Sequence, residues 1–221
     1  MYGNHKTTWR HYRYLNDLGF DCVTFDLLFG SNKLTYKDLH PEMRFGYKGV
    51  FYVWTRQIRS ILDHLPGDKI IYAFSGPSLS AFWASDNRSD VIKLICDGGP
   101  FHDIYKNSRN FFYHELNVKN PTLNKISSFL GSAIWGIGPL QKLHNVLENW
   151  NSEIPILSIR GIEDNIVDIK SIRSVFEPHE KLDLKILELD KGKHLDGMRD
   201  FSDLYTSTIS PFLIQDLEIQ S

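Results

Sequence analysis

The stretch from Lys69 to Trp83, KIIYAFSGPSLSAFW, decides how this chain is read. Its first part, Lys69 to Phe74, is a short apolar run of β-branched and aromatic residues, the composition of a buried strand. Then come the small and turn-forming residues Ser75, Gly76, Pro77 and Ser78, which lead directly into Leu79, Ala81, Phe82 and Trp83, an apolar helical start. A strand that turns this sharply into a helix lifts a side chain at the turn above the edge of its sheet.

Working outward, the same alternation recurs. Trp9 to Leu18 reads as a helix closed by Gly19, followed by an expected strand from Asp21 to Phe25. Val50 to Leu65 carries apolar residues at three- and four-residue spacing and stops at Pro66 and Gly67, an amphipathic helix with a turn. Val91 to Cys96, Ile154 to Ile159 and Leu184 to Leu189 are further strands, with a helix from Ile169 to Phe176 between the last two. Strands alternating with helices give an α/β fold with a mostly parallel sheet flanked by helices. Ligands of such sheets bind beyond the carboxyl ends of the strands, so polar residues just past each strand are the places to look for chemistry.

Three candidates lie there. Gly76, Ser78 and Ser80 fit a Gly-x-Ser-x-small turn, in which small residues let the backbone pass close to itself. Asp164 follows Gly161 in the loop after the strand ending at Ile159, where it also reads as an Asx-type turn or a helix cap. His194 follows Gly192 in the last loop. Each is commonplace alone; Ser, then Asp, then His, each just past its own strand, is a far more specific pattern. On those residues the chain resembles the α/β-hydrolase superfamily, the serine hydrolases, thioesterases and acyltransferases, over nearly its whole length. The resemblance implies a catalytic triad of Ser78, Asp164 and His194.

In that reading His194 takes the serine proton as the hydroxyl attacks, and Asp164 holds the imidazole in the right tautomer. The backbone N–H of Leu79 donates to the developing oxyanion. The resemblance places a second donor on Asn4, where family members carry His-Gly and this chain carries Tyr2, Gly3 and Asn4. Ser75 is the rival nucleophile. Choosing it leaves Pro77 at the second small position, whereas Ser78 leads straight into the helical start, and Ser78 is preferred on that ground. His5, His102 and His114 lack the spacing of a metal site, so no metal and no cofactor are assigned.

The 221 residues suit a single domain with a sizeable core. With 42% hydrophobic and 24% charged residues and a net charge of −2, no nucleic-acid partner is indicated. Cys22 and Cys96 both fall in apolar runs that read as buried strands, which suits free thiols in a reducing, cytoplasmic setting. No run approaches the roughly 20 apolar residues of a bilayer span.

More than fifty residues separate Cys96 from Ile154, too many for an ordinary loop. The chain is therefore divided into an N-terminal core, 1–101, a helical lid, 102–153, and a C-terminal core, 154–221. From Leu123 to Trp150 the lid reads as two short helices broken at Gly136 to Pro139. Its bulky residues, among them Phe111, Phe112, Tyr113, Phe129, Leu130, Ile134, Trp135, Ile137 and Leu140, are expected mostly to pack it onto the domain. Any that face the site make the acyl substrate apolar. The Ser78 to Ala81 turn is also similar to that of bacterial luminescence acyltransferases, which keeps thioesters beside carboxylic esters.

Superfamily members carry strands before the Tyr2 to Asn4 position, and here Met1 stands at that point, so the resemblance implies a sheet truncated at its N-terminal side. The competing class is a non-catalytic protein of the same fold that binds an apolar ligand or partner.

Overall fold

The structure, a computed structural model, describes residues 8–27, 49–135, 138–151 and 153–215. Its centre is a four-stranded sheet in the order β1 (Lys69–Phe74), β2 (Val91–Asp97), β3 (Ile156–Gly161), β4 (Leu184–Leu189). All three pairings are parallel, and they bring Ala73 beside Cys96, Cys96 beside Ser158, and Gly161 beside Leu189. Parallel neighbours need long crossovers, and helices supply them on both faces.

The inner strands are apolar on both sides because both faces are covered. Leu94 on β2 and Ile156 on β3 point toward α2 (Val50–His64), α3 (Pro77–Ser85) and α7 (Ile169–Phe176), in a core with Phe51, Trp54, Leu79, Phe82 and Val175. Ile95, Leu157 and Ile159 point the other way, against α9 (Ser202–Ile214) through Tyr205, Ile209 and Phe212. Tyr14, Leu15 and Leu18, from α1 (Trp9–Asp17) and its C-cap, close that second core. Fully burying each large aliphatic or aromatic side chain stabilises the fold by about 1.5–3 kcal/mol. Lys93 fits within β2 because its ammonium reaches the last turn of α9, donating to Phe212 O at 2.8 Å and Leu213 O at 3.0 Å.

Four of the five expected strands are present. The fifth is not: Asp21 to Phe25 is irregular, with Val23 and Phe25 exposed and Cys22 half-exposed. The run has strand composition but, among the described residues, no ladder partner to take its backbone N–H and C=O groups.

Between β2 and β3 the chain forms α4 (Ile104–His114), α5 (Pro121–Trp135) and α6 (Pro139–Glu148), the last two meeting at the expected glycine-rich break. Phe111, Trp135 and Leu140 pack on the core. Tyr113, Phe129, Leu130 and Ile134 are exposed, against the expectation that such residues pack inward. α5 packs on α4 through a polar face instead: Asn124 and Ser128 are buried, with Asn124 Nδ2 donating to Arg109 O at 3.2 Å and Ser128 Oγ to Asn124 O at 2.6 Å.

Candidate functional site

The loops after β3 and β4 are laced together. Ile162 N–H donates to Leu189 O at 3.1 Å, Glu163 N–H to Gly192 O at 2.9 Å, and Gly192 N–H to Leu189 O at 2.9 Å. The approach is so close that a Cβ at Gly161 would stand 2.5 Å from Gly192 O, so any side chain there forces the loops apart. Lys193 N–H donates to the buried Asp196 carboxylate at 2.9 Å and steadies the final turn.

This lacing brings two predicted residues together. Asp164 is buried, and its two oxygens divide the work. Oδ1 accepts from Ile166 N–H at 2.8 Å and Val167 N–H at 2.9 Å, while Oδ2 accepts from His194 Nδ1 at 2.7 Å. One side chain thus caps its own turn and bonds the histidine at once. A carboxylate only accepts, so the proton of this bond sits on Nδ1 and a neutral imidazole keeps its Nε2 lone pair free to act as a base.

The serine end departs from the expectation. Ser78 has 0% of its surface exposed; it lies in the first turn of α3, its Oγ donating to Ala73 O at 3.3 Å and lying against Cys96. Ser80 is buried as well, donating to Phe51 O at 2.9 Å. Leu79 N–H is engaged with Gly76 O at 3.1 Å. Ser78 and Leu79 are thus buried, although Ser78 Oγ lies 3.2 Å from the Cβ position of Gly99, and Asn4 lies outside the described residues.

The residue at the turn itself is Ser75, half-buried, with φ +53°. Five non-glycine residues have positive φ among the described residues: Ser75, Asn87, Asn117, Lys191 and Leu195. Asparagine tolerates this region. For the other three it costs about 1–2 kcal/mol each; Leu195 adjoins His194, and Lys191 lies in the turn that leads to it. The strain at Ser75 is held by packing. Its N–H donates to Asp97 O at 2.7 Å, its carbonyl accepts from Ser78 N–H at 3.0 Å, and a Cβ at Gly99 would be 2.4 Å from that carbonyl.

The neighbouring Gly98 carries the histidine. A Cβ built there would stand 3.4 Å from His194 Cε1. Ser75 and His194 therefore bracket one dipeptide at the end of β2, whose Cα atoms are only about 3.8 Å apart. Among the described residues neither Ser75 Oγ nor Gly76 N–H has a hydrogen-bond partner, and Gly76 opens α3, where the helix dipole favours an anion.

Beneath the dipeptide lies a buried polar chain that the sequence reading missed. Tyr205 donates to Asp97 Oδ2 at 2.5 Å, Tyr72 bonds the Tyr205 hydroxyl, and His11 Nε2 lies 3.2 Å from the same oxygen. Burial lifts the Asp97 carboxyl to about 6, against the opposing pull of the Tyr205 bond. Burial, helped by the charge of Arg10, lowers His11 to about 4. His11 is therefore neutral at pH 7, and its Nδ1 is buried without a partner. Four residues distant in sequence meet here, and no local motif marks them.

Neither of two shallow recesses on the surface is lined by the serine, the histidine or the acid: one of 340 Å³ lies between α7 and β4 around Arg173 and Phe176, the other of 200 Å³ between α4 and α5.

No protein-family model and no curated protein matches the sequence. Solved structures do match. A monoacylglycerol lipase of Paleococcus ferrophilus superposes with a TM-score of 0.66 at 16% identity, over 97% of this chain and 91% of that one. A bromoperoxidase of Bacillus anthracis gives 0.62 at 15% identity, over 95% and 87%. An esterase of Pyrococcus furiosus gives 0.61 at 16% identity, over 92% and 73%. At these identities the likeness establishes the fold, a parallel α/β-hydrolase sheet flanked by helices, and not the reaction.

Proposed function

We propose, on the premise that this chain has the α/β-hydrolase fold, that it is a serine hydrolase cleaving carboxylic esters or thioesters through Ser75, His194 and Asp164. The observation that carries this reading is the Ser75 backbone. A serine held at φ +53° on a strand-to-helix turn, across one dipeptide from a histidine bonded to a buried carboxylate, is strain kept where a nucleophile needs it. Ser75 replaces Ser78 as the proposed nucleophile because Ser78 is buried and bonded to the backbone.

In the proposed reaction His194 Nε2 removes the hydroxyl proton as Ser75 Oγ attacks the acyl carbon. Asp164 stabilises the imidazolium that forms. Gly76 N–H, the amide following the nucleophile, donates to the oxyanion in place of Leu79, and Asn4 is proposed as the second donor on its position in the sequence. His194 then protonates the departing alcohol or thiol, and water, activated by the same histidine, releases the acid.

Buried apolar side chains back the Ser75 turn, and an apolar acyl group is proposed on that ground: Phe51 Cε1 and Trp54 Cζ3 each stand 3.7 Å from the Cβ position of Gly76, and Trp135 stacks on Phe51 at 4.9 Å between centroids. The names of the similar esterase and lipase point the same way, while the bromoperoxidase is a reminder that one fold hosts several chemistries.

The test is a chain-length series of p-nitrophenyl esters and acyl thioesters. Turnover is expected to rise with acyl length and to vanish in Ser75→Ala. No turnover by the folded wild-type protein on any member, or full turnover in Ser75→Ala, removes the proposal.

A further inference from the structure

α5 is turned inside out. Its polar side chains Asn124 and Ser128 are buried against α4, while Leu123, Ile126, Phe129 and Leu130 face outward, 54%, 54%, 68% and 57% exposed. Residues three and four apart share one face of a helix, so these four form one continuous apolar stripe. A stripe of this kind on the surface marks a contact.

Its charge setting identifies the contact. From Leu116 to Leu147 the chain has Lys119, Lys125 and Lys142 and no aspartate or glutamate; the flanking acids are Glu115 and Glu148. At the start of α5 the 200 Å³ recess is lined by Arg109, Asn110, Tyr113, Lys119, Pro121 and Asn124. Lys119 is held there, donating to Tyr113 O at 2.7 Å and lying 3.6 Å over the Tyr113 ring, and its ammonium has further protons to donate. An apolar stripe that ends in a cationic recess matches a surface of acyl chains under phosphate headgroups.

We infer that the α4–α5 face docks on an anionic phospholipid surface, with Leu123, Ile126, Phe129 and Leu130 set among the acyl chains and Arg109 and Lys119 against headgroup phosphates. No helix among the described residues is long and apolar enough to cross a membrane, so the contact is peripheral. A second copy is a poorer occupant, since pairing the stripes brings like charges at Lys125 and Lys119 together. The far end of α5 carries Trp135, which stacks on Phe51 beside the Ser75 turn, so docking would bring that turn close to the lipid. The inference does not depend on the hydrolase reading, because docking is read without turnover.

Flotation with vesicles of phosphatidylcholine, with and without phosphatidylglycerol, tests it. The protein is expected to float with the anionic vesicles and to bind neutral ones at least tenfold more weakly, with added salt abolishing the difference. The double variant Phe129→Glu, Leu130→Glu should lose roughly tenfold or more in binding while keeping the circular dichroism spectrum and cooperative thermal unfolding of the wild type. Arg109→Ala and Lys119→Ala should each weaken binding by about fivefold. Failure to float, equal binding by the glutamate double variant, or a dimer that this variant dissolves would each overturn the inference.

Discussion

The loops after β3 and β4 and the turn after β1 carry the two halves of the proposed site, yet they differ in how they are held. In the first, Asp164 and His194 are joined by a hydrogen bond at 2.7 Å, and backbone bonds between Gly161–Asp164 and Leu189–Gly192 set their distance. In the second, Ser75 touches His194 through no bond; its strained φ is held by backbone bonds to Asp97 O and from Ser78 N–H and by the bare backbone of Gly99. The acid and the histidine are bonded to each other, whereas the serine is bonded only to its own surroundings. Changes to the first should therefore act on the base, and changes to the second on where the nucleophile sits.

The widest separation is expected between the two serines. Ser75→Ala should lower kcat by roughly 10⁴-fold or more, and Ser78→Ala by no more than a few-fold, with some loss of Tm from the buried hydroxyl. Steady-state kinetics of both variants on one ester decides it, and equal losses would erase the distinction drawn between them.

Next comes the acid–base half. Asp164→Asn should lower kcat by about 10³–10⁴-fold by giving His194 the wrong tautomer, with KM little changed. A loss confined to KM would mean that Asp164 serves only its turn.

Gly99→Ala and Gly161→Ala probe the close backbone approach in each half. Both introduce a Cβ 2.4–2.5 Å from a carbonyl oxygen and should cost about 1–3 kcal/mol by thermal unfolding. The Gly99 change presses on the Ser75 carbonyl and should lower kcat out of proportion to its stability loss; the Gly161 change should be felt at His194.

The smallest expected effect concerns the buried chain under the dipeptide. Asp97 holds its proton up to about 6 in the folded protein, against an ordinary value of 3.8, so between pH 4 and 6 the folded state binds more protons and stability falls as pH rises. His11, lowered from 6.5 to about 4, does the opposite, with stability rising as pH rises from 4 to 6.5. The two slopes offset each other. Asp97→Asn should expose the His11 slope, and His11→Phe the Asp97 slope, each on the order of 1–2 kcal/mol across that range in denaturant titrations. Parallel pH profiles in the two variants would contradict the assignment.

The same contrast explains what the sequence made legible. Apolar runs such as Ile70–Ala73 and Leu94–Cys96 read as buried strands in a chain of this pattern, and chain order was enough to single out Asp164 and His194, which the structure joins by a hydrogen bond. The β1 turn offers two serines three residues apart. Choosing between them requires knowing where the strand ends and which residue takes positive φ, and that depends on the close approach of Gly99 from another strand. Asp21 to Phe25 failed for a related reason, since composition does not reveal whether a ladder partner exists. The outward stripe of α5 was hidden because helical periodicity marks an apolar face without saying which way it points.

The most direct measurement is to label the folded protein with a fluorophosphonate and map the modified residue by peptide mass spectrometry. Phosphonylation is predicted at Ser75, retained in Ser78→Ala and lost in Ser75→Ala. A label on Ser78, or one that survives Ser75→Ala, would contradict the account of this site.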